Sequence, residues 1–393
     1  MRQKPGSLIT TIRVNLSILI VVITFFSLPQ KAFGLELKGF SDITFTYARN
    51  KKDTTDPNTN GSFAVGALDL FISQNLGERV DFLTEFAFEA ESNTDETAAD
   101  VERLQIGYLF SDALKVRAGR FHNVLGYWNM TYHHGRQLQT TIERPDFLEF
   151  EDDGGLIPTH LVGLWAGGNF VTGVGELEYN IMAGNGPKIQ HTSCPLGSPP
   201  ASCAPTAGGE LSPNSAGDNS KNKAVSFQLR WMPEAIRGLG MGISGNIQQL
   251  QFFAGDCCSN PISIVTPNGS VSREVGQEIY GVDLEYVAND IEFLSEFYQV
   301  RDHGTQTYLN YLWYVQAGYK IAGRFTPYAR FERWTVRDND PYFVALGTQD
   351  LSKTLGGVRF DIIPASSLKV EYRFINQPSD NYNEFAVQWA FAF

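Results

Sequence analysis

Six carboxylates crowd one short stretch of the chain. Between His122 and Pro158 the sequence reads HNVLGYWNMTYHHGRQLQTTIERPDFLEFEDDGGLIP and carries Glu143, Asp146, Glu149, Glu151, Asp152 and Asp153, with Arg136 among them. The preceding residues supply Arg103, Lys115, Arg117 and Arg120. If the acidic stretch turns back against that basic wall, the two sets face each other across narrow water. They then set up a transverse field that orients dipolar solutes and filters ions by attraction and desolvation, with no covalent step. The competing reading is a solvated acidic surface turn beside ordinary arginines, and Arg120, at a strand end, is the member whose direction is least fixed. Trp128, Tyr132, Leu138, Phe147 and Phe150 give the stretch apolar anchors for an interior wall.

Other residues that could do chemistry are sparse. His133 and His134 are adjacent, with His122 and His160 near in sequence. Neighbours on an extended chain point apart, whereas a metal needs converging ring nitrogens, so packing or polar loop contacts fit them better and no metal or other cofactor is expected. No GxSxG elbow, HExxH helix or glycine-rich phosphate loop occurs, and an enzyme is not expected. Cys194 and Cys203 share one long polar segment, while Cys257 and Cys258 share another. A staple from Cys194 to Cys203 and bonds across the two segments both remain open, and the spacing fits neither haem nor an iron–sulfur cluster.

The elements that must position these residues begin after residue 34. Arg2, Lys4 and Arg13 precede the apolar run VNLSILIVVITFFSL, and AFG ends at Gly34, the pattern of a secretory signal peptide over 1–34 rather than an uncleaved anchor. Its removal takes away four bases and no acid, leaving 27 basic and 43 acidic residues and a net charge of −16. Such a balance argues against nucleic-acid binding. No later stretch approaches the twenty apolar residues of a membrane helix.

From Leu35 onward runs of period two recur, such as DITFTYA, DFLTEFAFEAE, NYLWYVQAGYK and SLKVEYRF. In the last, Val370, Tyr372 and Phe374 share one face while Lys369, Glu371 and Arg373 share the other. A soluble sandwich would also alternate, but this many long strands with an aromatic face exceed its ordinary size. In a membrane the aromatic face meets lipid, the ionisable face meets water, and closure leaves no unpaired edge. The mixed inward charges expected are Glu85, Glu89, Glu176, Glu178, Asp283, Glu285, Glu292 and Glu296 against Arg230, Arg324, Arg330, Arg359, Lys369 and Arg373.

Sixteen strands are predicted, at 37–48, 64–75, 79–90, 101–110, 113–121, 159–168, 173–183, 224–232, 238–249, 277–287, 290–300, 308–320, 323–334, 351–362, 366–375 and 382–393. Seven short connections alternate with eight long ones, placing turns at one rim and loops at the other. The fold class is therefore all-β, a closed antiparallel transmembrane barrel over 35–393.

With this pattern, and with YNEFAVQWAFAF closing the chain at Phe393, the sequence resembles a Gram-negative outer-membrane porin, in particular the sixteen-stranded phosphate-selective porin-like superfamily. The resemblance implies that the last strand is the signal read by the barrel-assembly machinery and that the third long loop, 122–158, folds into the lumen and narrows it. It further implies an outer-membrane location among lipid and lipopolysaccharide, and a homotrimer fits it, although alternation alone does not separate trimer from monomer. No basic ladder matches the family's phosphate site, so no phosphate-binding residue is carried over. The function expected is a water-filled channel for passive diffusion of ions and small hydrophilic solutes. A substrate-specific anion or nutrient channel and a barrel scaffold for a partner protein are the alternatives, and a CxxCH haem motif is absent from this chain.

Overall fold

The computed structural model describes residues 34–91, 96–132, 135–191, 209–213, 215, 217–218, 222–253, 264–265, 271–272, 274–304 and 306–393. Sixteen antiparallel strands run around one closed sheet. They are β1 (Glu36–Arg49), β2 (in two pieces, Ser62–Val65 and Leu68–Asn75), β3 (Val80–Glu91), β4 (Glu96–Ser111), β5 (Leu114–His122), β6 (His160–Thr172), β7 (Gly175–Asn185) and β8 (Ala224–Pro233). The circuit continues through β9 (Leu239–Phe253), β10 (Glu274–Ala288), β11 (Ile291–His303), β12 (Thr307–Tyr319), β13 (Phe325–Thr335), β14 (Leu351–Ile363), β15 (Ser366–Asn376) and β16 (Asn381–Ala392). The ring shuts where β1 pairs with β16, from Phe40 opposite Ala392 to Arg49 opposite Asn383. Beyond that ladder Gly39 and Phe393 exchange main-chain hydrogen bonds at 2.9 and 3.0 Å. A Cβ on Gly39 would sit 2.8 Å from the Asp69 carbonyl oxygen as well as against the tip of the Phe393 ring, so the close backbone approach favours glycine there.

The split in β2 has a local cause. Both pieces pair with β1, and between them Gly66 donates its N–H to the Asp42 carbonyl at 2.9 Å. A side chain at Gly66 would fall 2.2 Å from the Asp42 carboxylate, which is buried on the interior face. Glycine thus lets an acid point inward where the strand is interrupted.

Sequence and structure agree on all sixteen strands; the largest displacements are at β4, which begins at Glu96 and not at 101, and at β6 and β9, which run on to Thr172 and Phe253 where ends at 168 and 249 were expected. The short connections are short as expected, and the turn between β10 and β11 holds Asn289 and Asp290 at φ 53° and 63°, the left-handed pair of a two-residue hairpin turn. On the other rim two of the eight connections read as long, 301–307 and 376–381, are short. Only three residues separate β11 from β12 and four separate β15 from β16, because the strands run further than the hydrophobic pattern suggested.

Side chains alternate between two environments. Ile106, Leu164, Ile181, Ile243, Val282 and Val358 are exposed on the outer wall. Tyr108, Phe110, Phe170, Tyr319, Phe325 and Trp389 are also exposed and lie close to the short turns, as an interfacial aromatic belt would. Positions of opposite parity are buried and carry most of the charge, including Asp283, Glu296, Arg330, Glu332, Lys353, Lys369, Glu371 and Arg373.

Candidate functional site

The buried charges of the wall are organised around the segment 123–159 that joins β5 to β6. Three cations on neighbouring strands donate to its main chain. Arg330 on β13 reaches the carbonyls of Glu143 and Arg144 at 2.9 and 2.8 Å. Arg359 on β14 reaches that of Gln139 at 2.8 Å. Lys369 on β15 reaches those of Arg136 and Thr141 at 2.6 and 2.8 Å.

Carboxylates on the same walls take the segment's donors. Glu296 on β11 accepts from the Trp128 N–H at 2.6 Å, Glu332 on β13 from that of Asp146 at 2.8 Å, and Glu371 on β15 from that of Ile142 at 3.2 Å. The Thr140 hydroxyl donates to Glu292 at 2.7 Å. An irregular segment cannot pair its own backbone as a strand does, so when it is buried its amides and carbonyls need side-chain partners. The charged walls supply them, in bonds worth about 1.5–3 kcal/mol each.

Apolar packing completes the seat. Trp128, Phe147, Leu148, Leu156 and Ile157 are buried against Ile279, Leu294, Tyr298, Leu312 and Tyr314 from β10–β12. Trp128 meets Tyr314 edge-on at 5.8 Å and Phe147 meets Tyr298 at 5.9 Å. Of the five anchors read from sequence, Trp128, Tyr132, Phe147 and Phe150 are buried, while Leu138 is 53% exposed. The loop after β13 joins this packing: its helix Pro341–Leu346 is capped by Asp340, and Tyr342 donates its hydroxyl to the Leu156 carbonyl at 2.8 Å.

The candidate residues fall into two groups. Glu143 and Asp146 converge on Lys353 of β14 at 3.1 and 2.5 Å, and Glu143 also accepts from Arg373 at 2.5 Å. Burial would raise the Glu143 carboxyl, but Arg373 and Lys353 hold it well below the usual range. Glu149 behaves oppositely. Partial burial pushes it up to about 8 and Asp153 adds to the rise, against the pull of Arg144 and Arg136. These acids, with Asp153 and Glu384, line a cavity of about 470 Å³ toward the long-loop rim, where Lys353 is the basic lining residue. Arg136 approaches Asp42 at 3.6 Å.

The second group stays on the far wall. Arg103 pairs with Glu85, Lys115 lies 2.6 Å from Asp81, and Arg120 lies 3.4 Å from Glu102. Arg117 stacks over Trp165 at 3.9 Å. Among the described residues no ion pair joins these four bases to the carboxylates of 143–153. One acid does connect toward them: Glu151 accepts from the Thr159 hydroxyl and lies 2.8 Å from His160 Nδ1, whose Nε2 lies 2.8 Å from Glu102. Burial would raise Glu151, yet His160 and Thr159 hold it at about 2. Asp152 belongs to the single turn Glu151–Asp153. Arg103, Lys115 and Arg117 line a second cavity of about 500 Å³ near the short turns.

Sequence reading did not single out Lys353, Glu332 or Glu102. Lys353 and Glu332 share parity with charges that were read as inward, namely Arg359 and Arg330, and that parity was the available signal. His160 makes the polar contacts and, with Phe150 at 6.3 Å, the ring packing expected of it. His133, His134 and all four cysteines lie outside the described residues, as does most of the predicted signal peptide. Among the described residues no group of three or more His, Cys, Asp or Glu is arranged to hold a metal ion.

No protein-family profile matches the chain, and no curated protein matches it significantly. Solved structures do match in fold. The outer membrane channel DcaP of Acinetobacter baumannii superposes with a TM-score of 0.58 at 11% identity, covering 93% of this chain and 99% of that one. An anion-selective porin from Comamonas acidovorans gives 0.57 at 10%, covering 92% and 100%. OmpT of Vibrio cholerae, in a trimer form, gives 0.55 at 11%, covering 92% and 100%. The chain is thus a sixteen-stranded closed barrel resembling outer-membrane porins in fold.

Proposed function

We propose that this protein is an outer-membrane channel of a Gram-negative bacterium, through which ions and small hydrophilic solutes diffuse passively, and that segment 122–158 folds into its lumen and forms the constriction. One observation carries the proposal: interior-facing side chains on β8, β9, β11, β13, β14 and β15 hydrogen-bond the same segment, so it must lie within reach of much of the circumference. An apolar outer wall and a charged inner one fit lipid and lipopolysaccharide outside and water within. The basic and then apolar composition of 1–34 fits an export signal.

The field proposed at the constriction has an axial as well as a transverse part. Acids dominate the cavity at the loop rim, and Arg103, Lys115 and Arg117 sit in the cavity at the turn rim. A permeating ion therefore meets one sign of charge and then the other. The trimer form described for OmpT makes a homotrimer the assembly to test, by detergent-corrected mass.

Purified, folded protein in a planar bilayer should give stable ohmic conductance, and the reversal potential under a salt gradient reports its ion preference. No conductance from demonstrably folded barrel rejects the channel. Unchanged selectivity on neutralising Arg103 and Arg117 together rejects their place in the field.

A further inference from the structure

The cavity near the short turns has the size of a small-molecule site, about 500 Å³, and a mixed lining. Two of its three strong bases are occupied, Arg103 by Glu85 and Lys115 by Asp81. Arg117 has no hydrogen bond or ion pair among the described residues; its guanidinium carbon sits over the Trp165 ring, 3.9 Å from the centroid. Trp165 is itself fixed by donating to Asn180 at 2.9 Å. A guanidinium held by its face keeps its N–H edge free for a planar anion. Of the nearby acids, Asp81 is paired with Lys115, while Glu178 accepts from Asn180 at 2.9 Å and keeps its charge near Arg117 without a direct bond to it.

Two further features narrow the ligand. Gln105 lines the same cavity with its Oε1 buried and unpartnered, an acceptor that calls for a donor. Met130 and Trp165, packed over the buried Phe121, add partly exposed apolar surface that an inorganic oxyanion cannot use. One unpaired cation with Glu178 nearby accommodates at most a single further negative charge, whereas a dianion taken from water would need more cations.

We propose that this cavity binds a small hydroxylated aromatic monocarboxylate, its carboxylate on the edge of Arg117 and its hydroxyl on Gln105. The inference rests on the channel reading in making that ligand a permeating solute. The test is calorimetric titration of the folded protein in detergent with 4-hydroxybenzoate, benzoate and inorganic phosphate, the folding of each variant being verified by circular dichroism and heat-modifiable migration. Saturable binding of 4-hydroxybenzoate is expected, weakened at least tenfold in Arg117→Gln and less in Arg117→Lys, and not displaced by phosphate. Gln105→Leu should abolish the preference for 4-hydroxybenzoate over benzoate without altering any charge. Undiminished binding by Arg117→Gln, displacement by phosphate, a preference that survives Gln105→Leu, or no saturable binding overturns the site. Protein that binds 4-hydroxybenzoate but conducts no current in a bilayer upholds the site and rejects the channel.

Discussion

Arg330 projects from β13 with no exposed surface and donates to the carbonyl of Glu143 at 2.9 Å, so a strand side chain and a loop backbone share one buried charge-assisted bond. The same guanidinium reaches the Arg144 carbonyl and the Thr141 hydroxyl. A cation that would line open water in a wide pore here closes the hydrogen-bond account of an irregular segment.

Replacing Arg330 with Met should therefore loosen the segment while leaving the barrel intact. Two carbonyls lose their donor and Glu332, 3.4 Å from Arg330, loses its nearer cation. Breaking a buried pair costs about 3–5 kcal/mol when the acid is left unpaired, and Lys353 at 3.7 Å offsets only part of the loss here. Amide exchange across 140–146 should accelerate by about a hundredfold or more, while the β10–β12 amides stay protected. Equal exchange in both proteins would refute the docking role.

The barrel was legible because a closed sheet with an apolar outer face and a charged inner one imposes strict alternation: Val370, Tyr372 and Phe374 point one way and Lys369, Glu371 and Arg373 the other. The use of the inner face was less legible. Ile279, Leu294, Leu312 and Tyr314 are interior residues without charge set among the inward Asp283, Glu296 and Gln316 of the same strands, so alternation marks an inner face there without showing which part of it is covered. Covering by a distant segment is the cause, and strand periodicity does not encode it. Likewise the acids of 143–153 were visible, but the choice of Lys353 and Arg373 as partners depends on long-range contacts between the segment and β14 and β15.

Ion preference should change with pH through Glu149. Because its carboxyl is pushed up to about 8, it gains charge only as pH rises through that value, and the acidic cavity then becomes more negative. Cation preference, read as reversal potential, should increase between pH 7 and pH 9. Glu149→Gln should remove that increase without changing the value at pH 6.

Acid should release the C-terminal end of the segment at Glu151. Its folded pKa, about 2, lies below the ordinary 4.5, so its contribution is full above about 4.5 and fades as pH falls toward 2. Only the imidazolium form of His160 has an N–H for both Glu151 and Glu102, and it persists through that window. The shift corresponds to docking free energy on the order of 3 kcal/mol. Protease cleavage within 148–158 should rise as pH falls from 5 to 3 in the wild type, and Glu151→Gln should show the raised rate already at pH 7.

Shortening the segment tests occlusion directly. Residues 131–150 contain the carbonyls held by Arg330, Arg359 and Lys369 as well as Phe147, so deleting them across a short glycine bridge removes the main-chain docking and part of the apolar seat. The barrel ladders do not pass through this stretch, since β5 still pairs with β6 from Lys115 opposite Gly167 to His122 opposite His160. The deleted protein should therefore fold, and the wall charges it uncovers regain water. Single-channel conductance should rise severalfold, because the narrowest cross-section dominates the resistance of a water-filled path. Ion selectivity should weaken at the same time, since Glu143, Asp146 and Glu149 leave with the deletion. Unchanged conductance in the folded deletion variant would place the constriction elsewhere in the barrel.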